Sequence, residues 1–258
     1  DNRRSRGLGD VYKRQEEIWC QLFSEPGSGS DLASLSTKAV DDGDGYIVNG
    51  QKVWTTLGHL AKWGLIVTRT DPNVPKHRGL TFFIVDMESE GVDVRPLRQI
   101  TGEAEFNEVY FTDVKIPKEN ILGSLGEGWR VSLTILMNER VAIGGNVRER
   151  GSGAPGHLVQ LWKEKNLQDP VTRDNLIKLW IEQEAVRLTN MRAVENREKG
   201  TPGPEGSTSK LYEAEINKAS YEFGMDMLGN DGLLFPRGYA LTQPELNFEN
   251  ETFGFTDT

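Results

Sequence analysis

Cysteine, basic charge and long apolar runs are all scarce in this chain of 258 residues. Cys20 is the only cysteine, so no internal disulfide can form, and we expect a protein of the cytoplasm, where thiols stay reduced. The net charge of −9 argues against a nucleic-acid partner, because phosphate binding needs a clustered basic surface. The apolar runs at 82–85 and 135–137 fall far below the roughly 20 residues of a membrane-spanning helix, so no membrane span is predicted.

The chain also lacks the motifs of several common site classes. Its histidines, His59, His77 and His157, are scattered without metal-ligand spacing, so no metal site is predicted. Neither a Gly-x-Ser-x-Gly elbow between a strand and a helix nor a Rossmann glycine fingerprint occurs. Any chemistry must therefore depend on other residues.

Residues 16–122 carry the pattern of a β domain. Asp42–Gly45 and Asn49–Gly50 are hairpin signals, because their glycines accept positive φ. Short strands separated by turn residues indicate an antiparallel barrel or sandwich. The predicted strands are 18–23, 35–40, 46–49, 52–55, 64–69, 80–86, 92–97 and 106–114.

Residues 123–235 change to helical periodicity. The stretch 128–144 is apolar on nearly every face, which is typical of a buried helix. Asp169 and Pro170 predict the start of a long helix, and another begins near Ser207. We expect their core faces to be two apolar stripes, Ile177, Ile181, Ala185 and Leu188 in the first and Tyr212, Ile216, Ala219, Phe223 and Met227 in the second.

The predicted fold class is therefore α+β, an antiparallel β-barrel domain followed by a helical bundle. Residues 1–15 are rich in Arg and Lys and match neither pattern, so we interpret them as a disordered or artefactual tail. Residues 236–258 lose periodicity and are predicted to be irregular.

Two stretches carry the chemistry. Residues 23–31 (FSEPGSGSD) follow the first predicted strand, and residues 49–56 (NGQKVWTT) follow the third. Glycines allow a large ligand to approach the backbone, and short hydroxyls stand beside the broad ring of Trp54. Such a combination suits a planar ligand with polar edges.

These two stretches resemble, in sequence and in order, motifs of the acyl-CoA dehydrogenase family of flavoenzymes. The match continues through 109–117, 122–123 and 126–129 and covers most of residues 16–235. The resemblance implies a middle β-barrel that binds FAD, followed by part of a C-terminal helical domain. Family members carry further helices on both sides, so we expect this chain to be a fragment, poorly stable and inactive alone.

The resemblance also implies the flavin contacts. The implied FAD-binding residues are Leu22, Phe23, Ser24, Gly29, Ser30, Trp54, Thr55 and Thr56. Thr56 would lie near the reactive flavin nitrogen N5, and Ser30 would also touch the substrate. The implied reaction is the α,β-dehydrogenation of an acyl-CoA thioester to a 2-enoyl-CoA, by loss of the α proton and transfer of hydride to N5.

The catalytic base implied by the resemblance is Glu139. In many family members the base lies on a loop that would follow Thr258, but isovaleryl-CoA and long-chain acyl-CoA dehydrogenases carry it on a core helix, just before an arginine. Residues 137–145 resemble that helix, and Asn138 and Arg140 would contact the substrate. An ionised side chain on an apolar helix is costly unless it is paired or functional, so a structural Glu139–Arg140 ion pair is the alternative.

Several alternatives remain open. The segment 101–107 replaces a stretch common in members specific for fatty acids, which puts straight-chain specificity in doubt. By family analogy the electron acceptor is an electron-transfer flavoprotein and the protein is a homo-oligomer, a dimer or a tetramer. An acyl-CoA oxidase, in which oxygen takes the electrons, and a non-catalytic binding fragment are the other hypotheses.

Overall fold

The structure is a computed structural model that describes residues 17–100, 103–144, 147–201 and 203–234, and only the backbone of 140–144. The tails predicted at 1–15 and 236–258 and the side chain of Arg140 lie outside the described residues. The chain divides into two compact units, with the division inside one helix between Leu133 and Thr134.

The first unit contains a seven-stranded sheet. Most predicted strands are present within a few residues, and two of the predicted ones join into a single long strand. The strands are β1 (Trp19–Leu22), β2 (Lys38–Asp41), β3 (Gly45–Thr56), β4 (Trp63–Arg69), β5 (Leu80–Asp86), β6 (Val92–Leu97) and β7 (Phe106–Pro117).

The sheet is mixed and mostly antiparallel. Its order is β1-β4-β2-β3-β7-β6, and β5 pairs with β4 outside this path. β1 and β2 both run parallel to β4, whereas β2–β3, β3–β7, β4–β5 and β6–β7 are antiparallel. The inward-facing side chains form one core, which includes Leu22, Val48, Ile66, Phe83 and Val109.

The hairpin predicted at Asn49–Gly50 is wrong, because β3 runs straight through it. β3 pairs with β7 on both sides of this point, with a shift of register between Val48 and Gly50. The side-chain amide of Asn49 donates to the Asp113 carboxylate at 2.9 Å, and the Asp113 N–H donates back to Asn49 Oδ1 at 2.9 Å. The bulge at this point lies on β7, where Thr112 and Asp113 face the single residue Asn49, and Asp113 has a φ of 52°.

The helices are α1 (Gly128–Gly144), α2 (Ala154–Glu164), α3 (Pro170–Glu198) and α4 (Glu205–Leu228). The predicted start of α3 is confirmed, because Asp169 accepts a hydrogen bond from the Thr172 N–H at 2.7 Å. No helix in the described ranges is both long and apolar enough to cross a membrane.

The predicted core face of α3 is wrong, whereas that of α4 is largely confirmed, because Ile216 and Met227 are buried and Phe223 packs against the core. Ile181 is 56% exposed and Leu188 is 53% exposed, and Tyr212 also faces outward. The buried surface of α3 and α4 is more polar than predicted, and its Gly224 faces α2, since a Cβ there would lie 3.0 Å from Leu158 Cδ2. The buried residues are Leu176, Gln183, Val186, Asn190 and Ala193 on α3 and Glu205, Ser209, Glu213, Ile216, Ser220, Gly224 and Met227 on α4. α1 is also less buried than predicted, since Met137 is 63% exposed.

Candidate functional site

The first predicted motif begins where β1 ends. Leu22 and Phe23 are buried, and the Phe23 ring meets the Phe82 ring edge-on at 5.5 Å. The chain then turns between Glu25 and Ser28, whose backbone groups exchange hydrogen bonds of 2.9 and 3.0 Å. Beyond that turn Gly29 and Ser30 are exposed. The motif therefore has a buried base and an open polar rim.

The second motif is the end of β3, which carries a bulge of its own. The register with β7 shifts between Lys52 and Thr55, and Trp54 has a φ of 61°. Positive φ is strained for a bulky aromatic residue, and such strain is common at functional positions. The bulge leaves the Trp54 side chain 62% exposed, beside an exposed Thr56.

The fold brings these two motifs together. The Val53 N–H donates to the Ser24 carbonyl at 2.9 Å, immediately before Trp54. Within the described part of the chain, the hydroxyls of Ser24, Ser30 and Thr56 make no hydrogen bond. A buried oxygen, Thr55 Oγ1, also lacks a partner among the described residues.

Asn107 supports the bulge at Trp54 through a hydrogen bond to the backbone of Thr55. It is completely buried, and its amide nitrogen donates to the carbonyls of Thr55 at 2.9 Å and Glu105 at 3.2 Å. Its amide oxygen lies 3.1 Å from His59 Nδ1. Sequence analysis assigned no role to Asn107, and nothing in the local pattern of β7 distinguishes it from a surface polar residue.

A buried ion pair lies directly under the motifs. Lys52 Nζ lies 2.9 Å from Glu25 Oε1, and their side chains are 0% and 4% exposed. Burial alone would raise the pKa of the Glu25 carboxyl, but the charge of Lys52 and the hydrogen bonds from Lys52, Ser36 and Thr37 lower it to about 2. Burial lowers the pKa of the Lys52 ammonium to about 8, against the opposing effect of Glu25.

Sequence analysis named neither member of this pair as a site residue. A signal was present, since each motif places a charged residue close to an apolar one, Glu25 near Phe23 and Lys52 beside Val53. Burying an isolated charge is costly, so opposite charges in two such motifs favour a pair.

The residues around the predicted base lie on α1. Glu139 is half-buried and Asn138 is exposed. Glu139 Oε1 accepts a hydrogen bond from Lys210 Nζ on α4 at 3.1 Å. The described part of the chain thus pairs Glu139 with a lysine that sequence analysis did not single out. Both belong to the second compact unit.

The residues of the first unit fit a flavin. A planar ring system can stack on an exposed Trp54 ring, and its polar edge can use the free hydroxyls of Ser24 and Thr56. Glycine at positions 27 and 29 leaves open space at the rim, since a Cβ on either would meet nothing within 4 Å. These features leave room for a large ligand beside the backbone.

Comparison with known proteins matches two family models to the chain. The acyl-CoA dehydrogenase middle domain matches residues 20–114, and the acyl-CoA dehydrogenase C-terminal domain matches residues 126–247. The boundary between the matches falls just before α1.

Curated proteins and solved structures agree with these matches. Acyl-CoA dehydrogenase FadE34 of Mycobacterium tuberculosis is 42% identical over 227 residues, which cover 86% of this chain and 31% of FadE34. Acyl-CoA dehydrogenase IpdE1 of the same organism is 38% identical over 223 residues, covering 86% of this chain and 58% of IpdE1. The structure of the Tcur3481-Tcur3483 steroid ACAD superposes with a TM-score of 0.77 at 26% identity, over 92% of this chain and 62% of that one. The chain thus spans between about a third and three fifths of these proteins.

Proposed function

Because the chain belongs to the acyl-CoA dehydrogenase family, we propose that it catalyses the FAD-dependent α,β-dehydrogenation of an acyl-CoA thioester to a 2-enoyl-CoA. The observation that carries this proposal is the hydrogen bond from Val53 to Ser24, which joins the two motifs beside a strained, exposed Trp54. A structural bulge alone would not require an aromatic ring at positive φ.

In this proposal Leu22–Ser30 and Trp54–Thr56 hold the flavin. Leu22, Phe23 and Thr55 form the buried base, and the Trp54 ring and the hydroxyls of Ser24 and Thr56 contact the ligand. When bound, the flavin supplies the two-electron acceptor, and the protein supplies position and electrostatics. Ser30, on the exposed rim, would contact the thioester substrate.

We assign the base to Glu139. Its carboxylate removes the α proton of the thioester, so the α C–H bond breaks and the proton moves to a Glu139 oxygen. Glu139 is partly buried, and among the described residues Lys210 binds its Oε1, so Oε2 is assigned as the oxygen that takes the proton. Asn138 and Arg140, its neighbours in sequence, would contact the substrate.

The acyl group is proposed to carry rings rather than a straight chain. The segment 101–107 departs from the pattern of members specific for fatty acids. A similar protein of known structure is named a steroid ACAD, and another relative is named cyclohexane-1-carbonyl-CoA dehydrogenase. Turnover of ring-bearing acyl-CoA thioesters in preference to palmitoyl-CoA would support this choice, and the reverse preference would reject it.

An electron-transfer flavoprotein is the proposed acceptor, and the protein is proposed to be a homo-oligomer. The main alternative is an oxidase, which uses oxygen instead. Stoichiometric oxygen consumption during turnover would identify an oxidase, and its absence together with reduction of an electron-transfer flavoprotein would identify a dehydrogenase.

Two sets of variants test the site. Ser24→Ala/Thr56→Ala should lower the flavin content of the purified protein, whereas Thr112→Ala, which removes an exposed hydroxyl of the same sheet, should not. In the full-length enzyme, Glu139→Gln should retain flavin and substrate binding but slow the anaerobic bleaching of the flavin by substrate by roughly 10²–10⁴-fold. The control is Glu198→Gln, at an exposed glutamate of α3. Bleaching of Glu139→Gln at the wild-type rate would place the base elsewhere.

A further inference from the structure

The Glu25–Lys52 pair is more extensively bonded than a simple ion pair. Glu25 Oε2 accepts hydrogen bonds from the Ser36 N–H at 2.7 Å and the Ser36 hydroxyl at 2.8 Å, and Oε1 accepts one from the Thr37 N–H at 3.0 Å. Together with Lys52 Nζ at 2.9 Å, these donors satisfy both carboxylate oxygens. The carboxylate therefore joins three separate segments of the chain.

Lys52 makes the corresponding bonds on the other side. Its ammonium donates to the Phe23 carbonyl at 3.0 Å, and the next residue, Val53, donates its N–H to the Ser24 carbonyl at 2.9 Å. Two consecutive residues of β3, Lys52 and Val53, thus bond to the backbone of Phe23 and Ser24, where the first motif follows β1. The strained Trp54 follows directly after them.

The burial of this pair needs an explanation other than stability, because buried ion pairs add little to the free energy of unfolding. Removing two charges from water costs about as much as their attraction returns, and an apolar replacement of similar volume is often as stable. A wholly buried lysine in a strand is therefore better explained by the geometry that it imposes. That geometry connects the loop at Ser24 to the bulge at Trp54.

We propose that the Glu25–Lys52 pair is the positioning element of the flavin site, which holds the Ser24 loop and the Trp54 bulge at the separation that the flavin requires. This inference rests on the proposed function, since it assumes that these motifs bind FAD. Neither residue contacts the flavin in this proposal. Both are positioning residues that act through the backbone of Phe23, Ser24 and Val53.

The test compares three variants of the protein with the wild type. Lys52→Met removes the ammonium at similar volume, and Glu25→Gln/Lys52→Met removes both charges, which should leave a folded sheet because no unpaired charge remains. The control is Lys118→Met, since the ion pair of Lys118 with Asp41 at 3.4 Å is half-exposed. Folding is measured by circular dichroism and urea denaturation, FAD affinity by quenching of tryptophan fluorescence, and the site's geometry by the absorbance spectrum of bound FAD.

We expect the double variant to fold, to bind FAD at least about tenfold more weakly and to shift the flavin spectrum. Affinity falls by this factor if only a tenth or less of the molecules hold the two motifs in the arrangement that binds FAD. Lys118→Met should match the wild type in all three measurements. Wild-type FAD affinity and spectrum in the folded double variant would overturn the inference. So would failure of the double variant to fold, because the pair would then support the whole unit rather than the site. A wild type that binds no FAD would instead overturn the proposed function.

Discussion

Lys210 Nζ lies 3.1 Å from Glu139 Oε1, so an ion pair connects α4 to the middle of α1. Its members are partly buried, with side chains 41% and 26% exposed. Among the described residues no further hydrogen bond or ion pair reaches the Glu139 carboxylate. If Glu139 is the base, Lys210 sets the direction in which the second oxygen points.

We predict that Lys210→Met lowers kcat by about ten- to a hundredfold with little change in KM, because a misdirected base loses its alignment with the α proton. Lys210→Arg should recover most of the rate, since it can still donate to Oε1. Lys218→Met, at an exposed lysine of the same helix, is the control. Steady-state kinetics of the full-length enzyme with an acyl-CoA thioester provides the measurement, and an unchanged kcat in Lys210→Met would show that the pair is only structural.

Gly50→Ala should destabilise the first unit by roughly 1–3 kcal/mol. Gly50 has a φ of 153°, and a Cβ there would lie 2.5 Å from Thr37 Oγ1 and 2.7 Å from Thr37 Cα. Gly27→Ala is the matched control, because a Cβ at Gly27 meets nothing within 4 Å. Urea denaturation of both variants measures the difference, and equal midpoints would mean that β3 can shift to accept the methyl group.

The Glu25 carboxylate should make stability depend on acid pH. Its pKa falls from 4.5 to about 2 in the folded protein, so its contribution is complete above 4.5 and is lost as the pH falls toward 2. The loss should be roughly 3 kcal/mol, at about 1.4 kcal/mol per pKa unit. We therefore expect the difference in unfolding free energy between wild type and Glu25→Gln to shrink between pH 5 and pH 2, in urea titrations. A constant difference would contradict this assignment.

Asp169→Ala should destabilise the second unit by about 1 kcal/mol, because it removes the cap of α3. Asp169 Oδ2 accepts from both the Thr172 N–H and the Thr172 hydroxyl at 2.7 Å. Asp169→Asn should be nearly neutral, since asparagine caps helices as well as aspartate does. Thermal unfolding followed by circular dichroism distinguishes the two variants, and equal losses in both would show that charge rather than capping is responsible.

Local features were readable from the sequence because short-range sterics and hydrogen bonding determine them. The cap and proline at 169–170 predicted the start of α3 correctly, and β-branched runs predicted strands such as β5 and β6 within their observed bounds. The two motifs likewise indicate the family from the sequence alone. Each motif is one contiguous segment, so its residues and their order are visible in the sequence.

Asn49–Gly50 shows where a prediction from neighbouring residues fails. The dipeptide favours positive φ and is therefore typical of a hairpin turn, but the same residues can continue a strand that faces a bulge in its partner. Only β7, about sixty residues later, decides between them, since its pairing continues on both sides of the dipeptide. The choice therefore depended on a contact between residues distant in sequence.

The helices and the buried pair show the same limit more strongly. An apolar stripe at Ile177 and Ile181 is visible in the sequence, but α3 buries another face, which carries Gln183, Val186 and Asn190. From the sequence alone Lys52 is expected at the surface, but the fold buries it with Glu25 Oε1 at 2.9 Å from its Nζ. The sequence by itself determined the local elements, the order of the motifs and the family. The tertiary structure alone decided which faces and charges are buried, because burial depends on the partners that the fold brings together and not on neighbours along the chain.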